Sequence, residues 1–94
     1  MSTQKNTGEI DVRKALTVFS TISDKGIATK NSEGTTVHTL NGLVAESSFD
    51  GYTIVIKNEN ASLNIFFHNK FSFEYTNNKE KELFLEKMRV IEKL

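Results

Sequence analysis

The sequence contains no cysteine. Disulfides, thiolate catalysis and cysteine-bound metal ions are therefore excluded. Small secreted domains often depend on disulfides, so this absence favours the cytoplasm as the location of the protein. The first eleven residues are polar and lack the apolar core of a signal peptide, which agrees with that expectation.

Proline is also absent, and nowhere do 18 apolar residues run together. We therefore expect no proline kink in a helix, no interrupted strand and no membrane-spanning helix. Neither sign of charge is in excess, because twelve basic residues balance twelve acidic ones. Proteins that bind nucleic acids usually carry a basic excess, since contacts to phosphates supply most of their affinity. The balance disfavours a nucleic-acid partner.

The chain is long enough for one domain and too short for two ordinary ones. Residues 1–10 are predicted to form a flexible N-terminal tail, because they are polar and show no periodicity. Residues 11–94 are predicted to form a single α+β domain that begins and ends with a helix.

The first helix is predicted to begin at Asp11, whose carboxylate can accept hydrogen bonds from the first turn. Apolar residues then recur at helical spacing, at Val12, Ala15, Leu16, Phe19 and Ile22. Gly26 is expected to end this helix in the left-handed conformation. The last helix is predicted to start near Asn77, with Glu80 completing a capping pattern.

The apolar residues of the last helix cover a wide arc, with Leu85 off to one side: Leu83, Phe84, Met88, Val90, Ile91 and Leu94. An arc this wide admits two interpretations. In the first, the helix wedges between the sheet and the first helix; in the second, part of the arc forms a dimer contact. The first is favoured.

Between Ile27 and Tyr75 the apolar residues alternate with polar ones, which is typical of strands. Turn signals separate the runs, at residues 31–34, 41–42, 50–51, 58–60 and 68–70. We predict an antiparallel meander of four to five strands, with residues 27–30 or 35–40 at the edge, followed by strands over 43–48, 52–58, 61–67 and 71–76.

We predict loops of two residues at Asp50-Gly51, two at Glu59-Asn60 and three at His68–Lys70. With these loop lengths, the apolar residues of the last four strands lie on one face of the sheet. In this register Ser47 lies opposite Ile54, Ile54 opposite Ile65, and Ile65 opposite Phe73. Both helices are expected to pack on this apolar face, while the other face meets water.

Few residues suggest chemistry. His38 is predicted to be a partly buried structural residue, and no second histidine lies at a metal-ligand spacing, so no metal or cofactor is expected. Glu80, Glu82 and Glu86 alternate with lysines and are interpreted as a solvated helix face. Phe66 is the one large apolar residue predicted on the outer face, and a single aromatic is a weak signal for stacking on bases.

One cluster of polar residues is a candidate binding site. The register brings the turns that carry Asp50 and His68-Asn69-Lys70 to the same end of the sheet, beyond a row of four aromatic residues, Phe49, Tyr52, Phe67 and Phe71. Asp50, His68, Asn69 and Lys70 could form a small recognition rim for a partner. The alternative, which is favoured, is that these turns only cap the core.

Two motifs at these hairpins, Phe49-Asp-Gly-Tyr-Thr53 and Phe66-Phe-His-Asn-Lys-Phe71, resemble an uncharacterised family of short bacterial proteins, a domain of unknown function. The resemblance extends over about residues 11–92. It implies a small bacterial protein with no assigned activity, and it transfers no catalytic residue.

Three classes of function remain. The favoured one is a non-enzymatic protein-interaction module, whose partner is a second copy or another bacterial protein. The alternative is a small-ligand or nucleic-acid binding domain that uses the hairpin rim or the outer face of the sheet. An enzyme ranks last, because acid–base catalysis needs paired groups and only the rim offers them.

Overall fold

The computed structural model describes residues 4–5, 11–47, 53–66 and 70–94. Two helices, α1 (Val12–Lys25) and α2 (Asn78–Glu92), enclose the main strands in sequence. A two-residue strand, β1 (Gln4–Lys5), precedes α1. The remaining strands form an antiparallel meander: β2 (Ile27–Lys30), β3 (Thr36–Leu40), β4 (Leu43–Ser47), β5 (Ile54–Lys57), β6 (Ala61–Phe66) and β7 (Lys70–Tyr75).

The predicted α+β class is confirmed, and the sheet has more strands than the four to five predicted. The two stretches proposed for the edge both form strands, since β2 pairs with β3 through Ala28 and His38. Within the predicted tail, Gln4 pairs with Tyr75 of β7. The division of the chain into a tail and a domain stays a prediction.

Capping side chains begin both helices where the sequence predicts. The Asp11 carboxylate accepts hydrogen bonds from the backbone N–H groups of Arg13 at 2.9 Å and Lys14 at 3.4 Å. The Asn77 side chain accepts one from the backbone N–H of Glu80 at 2.9 Å. These bonds satisfy N–H groups that have no partner within the helix.

Gly26 ends α1 for a different reason from the one expected. Its φ is −77° and its ψ 169°, so the backbone is extended and not left-handed. A β-carbon at this position would lie 2.5 Å from the carbonyl oxygen of Ile22 and 2.8 Å from that of Thr39. Glycine is therefore required by the close approach of α1 and β3.

The predicted register is confirmed for the pairs Ser47–Ile54 and Ile54–Ile65. It is wrong for the last hairpin, where Ile65 pairs with Phe71 and not with Phe73. Phe66 pairs with Lys70, so the three residues between these strands are 67–69, whereas the prediction placed the loop at 68–70. The error amounts to two residues along one strand, which leaves every side chain on its predicted face.

The core lies between the sheet and both helices, as predicted. The sheet contributes a buried row in which Ala45, Ile56, Leu63 and Phe73 are neighbours across four strands. The helices contribute residues that are buried against this row: Ala15, Val18, Ile22, Phe84, Leu85, Met88 and Ile91.

Two helix positions differ from the predicted pattern. Leu16 is 39% exposed, whereas Val18, two residues further along and on the opposite side of α1, is buried. Leu85, which was placed beside the apolar arc of the last helix, is buried. Val18 and Leu85 line one crevice between α1 and α2, so the contact between the two helices selects these side chains. Within the described residues, neither helix combines the length and apolarity that crossing a membrane requires.

Candidate functional site

Of the four residues in the predicted rim, one falls in the described part of the chain. Lys70 opens β7, is exposed and pairs with Phe66 across the last hairpin. Asp50, His68 and Asn69 lie outside the described residues, as do Phe49, Tyr52 and Phe67 of the aromatic row. The rim therefore stays a prediction.

His38 lies where the sequence places it, beside Ala45, and its side chain is partly buried. Its strand is not at the edge, however, because β2 pairs along its other side through Ala28. Among the residues described, no group of three histidine, aspartate or glutamate side chains could hold a metal ion.

On the outer face of the sheet, Phe66 is 42% exposed and is paired with the exposed Lys70. The same face carries an ion pair between Lys57 and Glu46, whose Nζ and Oε1 atoms are 3.0 Å apart. A ring beside an ammonium group is a small surface on which a flat or anionic ligand could bind.

The outward side of α2 carries the main exposed apolar feature of the described residues. Leu83 and Val90 are 45% and 46% exposed, and Leu94, just after the helix, is 61% exposed. At 100° per residue Leu83 and Val90 fall within about 20° of one another, and Leu94 follows beyond the end of the helix. They form an outer stripe, defined here as Leu83, Val90 and Leu94, which points away from the buried side.

The outer stripe divides the wide arc that the sequence suggested. Phe84, Met88 and Ile91 face the core, whereas Leu83, Val90 and Leu94 do not. Half of the arc is thus explained by packing against the sheet and α1. The other half is 45–61% exposed and lies outside the core cluster.

A groove of about 570 Å³ runs beside the stripe, between α2 and two hairpin turns. Leu83, Glu80 and Lys87 line it from the helix, and Gly42 and residues 58–60 line it from the turns. Two hydrogen bonds connect these turns to the helix. Asn60 Nδ2 donates to Glu80 Oε1 at 3.1 Å, and Asn41 Nδ2 donates to the carbonyl of Lys87 at 3.4 Å.

The glutamates of α2 form the solvated face that the sequence suggested. Arg89 donates to Glu86 Oε1 at 2.9 Å on the helix surface. This hydrogen bond raises the pKa of the Arg89 guanidinium above its ordinary value. Glu82 lies 3.7 Å from the ammonium of Lys81.

The sequence interpretation counted Lys81 among the lysines of the solvated face, and this is wrong, because Lys81 is buried on the inner side of α2 and only 9% exposed. Its ammonium lies 5.8 Å from the centre of the Tyr75 ring, which is the geometry of a cation–π contact. The side chain is 11% exposed, and a lysine in such a position usually buries its aliphatic stem and keeps its ammonium group near the surface. Lys81 lies three and four residues before Phe84 and Leu85, and this helical spacing was the signal that could have placed it on the buried side of α2.

A family model for a protein of unknown function (DUF3081) matches residues 10–94. The chain belongs to this family. The match covers both helices and every strand except β1, so it includes the outer stripe and the groove. The predicted membership of an uncharacterised family is thereby confirmed, while the bacterial origin stays an expectation. No curated protein and no solved structure matches the chain significantly.

Proposed function

We propose that this protein is a small, non-enzymatic interaction module of the cytoplasm, and that it docks through the outward side of α2. The observation that supports the proposal is the outer stripe. Three large apolar side chains stand in line on the exposed side of a helix whose opposite side already completes the core. Aligned apolar residues of this kind mark contact surfaces, because water-exposed leucine and valine are stabilised when a partner covers them.

Charged residues border the stripe, with Lys79, Glu80, Glu86 and Lys87 within one turn of Leu83. An apolar centre with a polar rim is the usual composition of a protein–protein contact. The hydrogen bonds from Asn41 and Asn60 fix α2 to the hairpin turns, so the surface is presented rigidly. A rigid surface loses less conformational freedom on binding.

Site-specific photo-crosslinking in the cells that express the protein tests the proposal. A photoreactive phenylalanine analogue replaces Leu83, Val90 or, as a matched control, Leu16, which is an exposed leucine of α1 at 39% exposure. We expect protein adducts from positions 83 and 90 and few from position 16. Adducts of equal yield from all three positions, or none from α2, would count against an α2 contact surface.

A second candidate function rests on the exposed ring of Phe66 beside Lys70. Single-stranded nucleic acids bind to aromatic rings that lie among basic groups. A fluorescent oligonucleotide should then bind, and Phe66→Ser should weaken it severalfold while Leu16→Ser leaves it unchanged. The absence of binding at low salt would remove this alternative.

A further inference from the structure

The charges around Leu83 follow a pattern that complements itself. Glu80 lies three residues before Leu83 and Lys87 four residues after it, both on the side of α2 that faces the groove. Lys79 and Glu86 lie at the corresponding distances on the other side of Leu83. At 100° per residue, each pair stands about 40–60° from the line through Leu83. Each side of the stripe thus has one acid and one base, about one helical turn away in opposite directions.

A two-fold symmetric dimer brings the same patch of two chains together, with the helices antiparallel. If the two-fold axis passes at Leu83, a residue about one turn before Leu83 in one chain faces the residue about one turn after Leu83 in the other chain. Glu80 then meets the second copy's Lys87, and Lys79 meets the second copy's Glu86. The symmetry repeats both contacts, so four ion pairs surround the Leu83 side chains of the two chains.

We infer that a second copy of this chain occupies the part of the α2 surface around Leu83, in this antiparallel arrangement. The inference rests on the proposed function, because it assumes that the outward side of α2 is a contact surface. Among the described residues, the carboxylate and ammonium groups needed for these ion pairs still have atoms that no other contact uses. The hydrogen bonds from Asn60 and Arg89 use only Oε1 of Glu80 and of Glu86. No ion pair occupies the ammonium of Lys87 in the described part of the chain.

The groove beside α2 supplies room for the second copy. Its volume of about 570 Å³ adjoins Leu83, Glu80 and Lys87, so the long side chains of a second α2 can enter it. A single helix offers less than the ~800 Å² per partner of a standard interface, and we expect a weak dimer, with a Kd of about 10 μM to 1 mM.

Charge reversal on α2 tests the arrangement. Lys79→Glu/Lys87→Glu makes all four flanking positions acidic, and Glu80→Lys/Glu86→Lys makes them basic. Each variant should dimerise about tenfold more weakly than the wild type in sedimentation velocity, because like charges then oppose one another at four exposed contacts. A 1:1 mixture of the two variants should form a heterodimer at least as tight as the wild-type dimer.

A second pair of variants controls for net charge. Lys25→Glu/Lys30→Glu and Asp24→Lys/Glu33→Lys carry the same net charges, but on exposed residues near β2. Each of these variants should dimerise as the wild type does at about 0.15 M salt, where charges separated by more than about 8 Å are screened. Mixing the two should yield no preferred heterodimer.

The arrangement would be supported if each α2 variant alone dimerised weakly, the mixture of the two α2 variants formed a heterodimer, and the mixture of the two control variants showed no such preference. A wild-type chain that stays monomeric at 1 mM would overturn it, and so would a dimer that is indifferent to all four α2 charges. These outcomes are separable from the proposed function. A monomeric chain whose position 83 still crosslinks to a different protein in cells would retain the contact surface and lose only the self-pairing.

Discussion

The ammonium nitrogen of Lys87 lies 2.9 Å from the position that a β-carbon on Gly42 would occupy. Gly42 is the second residue of the β3–β4 turn, with φ +80°. The first residue, Asn41, donates its side-chain amide to the carbonyl of Lys87 at 3.4 Å. The turn and the helix therefore meet at both turn residues, beside the groove that borders the outer stripe.

Gly42→Ala should lower the free energy of unfolding by about 1–2 kcal/mol, because φ is positive and an L side chain is strained there. Gly34→Ala is the matched control, since Gly34 has φ +79° and nothing within 4 Å of its added β-carbon. The two losses should agree within about 0.5 kcal/mol in urea unfolding, because a lysine head can move aside. A much larger loss at Gly42 would mean that Lys87 is held firmly in place.

Gly26→Ala should also destabilise the protein, by about 1–3 kcal/mol, as overpacking does. Here the backbone conformation is ordinary, and the added β-carbon meets the carbonyl oxygens of Ile22 at 2.5 Å and Thr39 at 2.8 Å. Backbone atoms cannot rotate away as a side chain can. A melting temperature equal to that of the wild type would show that α1 and β3 are less close than the structure has them.

Leu63→Ala should cost about 2–5 kcal/mol, because Leu63 is fully buried in the central row of the sheet. Leu83→Ala, which removes the same atoms from a side chain that is 45% exposed, should cost less than about 1 kcal/mol. Urea denaturation of the two variants, measured at low protein concentration, compares them directly. Equal losses would show that Leu83 belongs to the core and that the outer stripe is not free for a partner.

Lys81→Ala should cost about 1–2 kcal/mol, because it removes both a buried aliphatic stem and the contact of the ammonium with the Tyr75 ring. Lys81→Met keeps most of the stem and should lose less than half as much. Lys79→Ala, at an exposed position of the same helix, is the control and should be nearly neutral. If the methionine variant were as unstable as the alanine one, the charge and not the stem would account for the stabilisation.

Local chemistry determined much of the fold in advance. Asp11 and Asn77 mark the helix starts because their side chains satisfy N–H groups that no helix can satisfy for itself. Asn41 and Gly42 mark a hairpin because both adopt positive φ, at 53° and 80°. In each case the deciding interaction lies within a few residues of sequence.

Alternation determined which face the last four strands bury, but not the pairing along the last hairpin. A shift of two residues exchanges Phe73 for Phe71 opposite Ile65 and leaves both on the apolar face. The apolar pattern is therefore equally satisfied by both registers. In the observed register Lys70, which the sequence places in the turn, is the first residue of β7 and pairs with Phe66.

What the sequence determined by itself is the α+β class, the two caps, the tight turns and the apolar face of the last four strands, because these depend on neighbouring residues and on a period of two. Only the tertiary structure decided which apolar residues of α2 are left exposed. The sequence of a helix predicts the arc that its apolar residues cover, but it does not predict which part of that arc the neighbouring helix and strands will contact. The contact between α1 and α2 buries Leu85, and the same placement turns Leu83, Val90 and Leu94 outward.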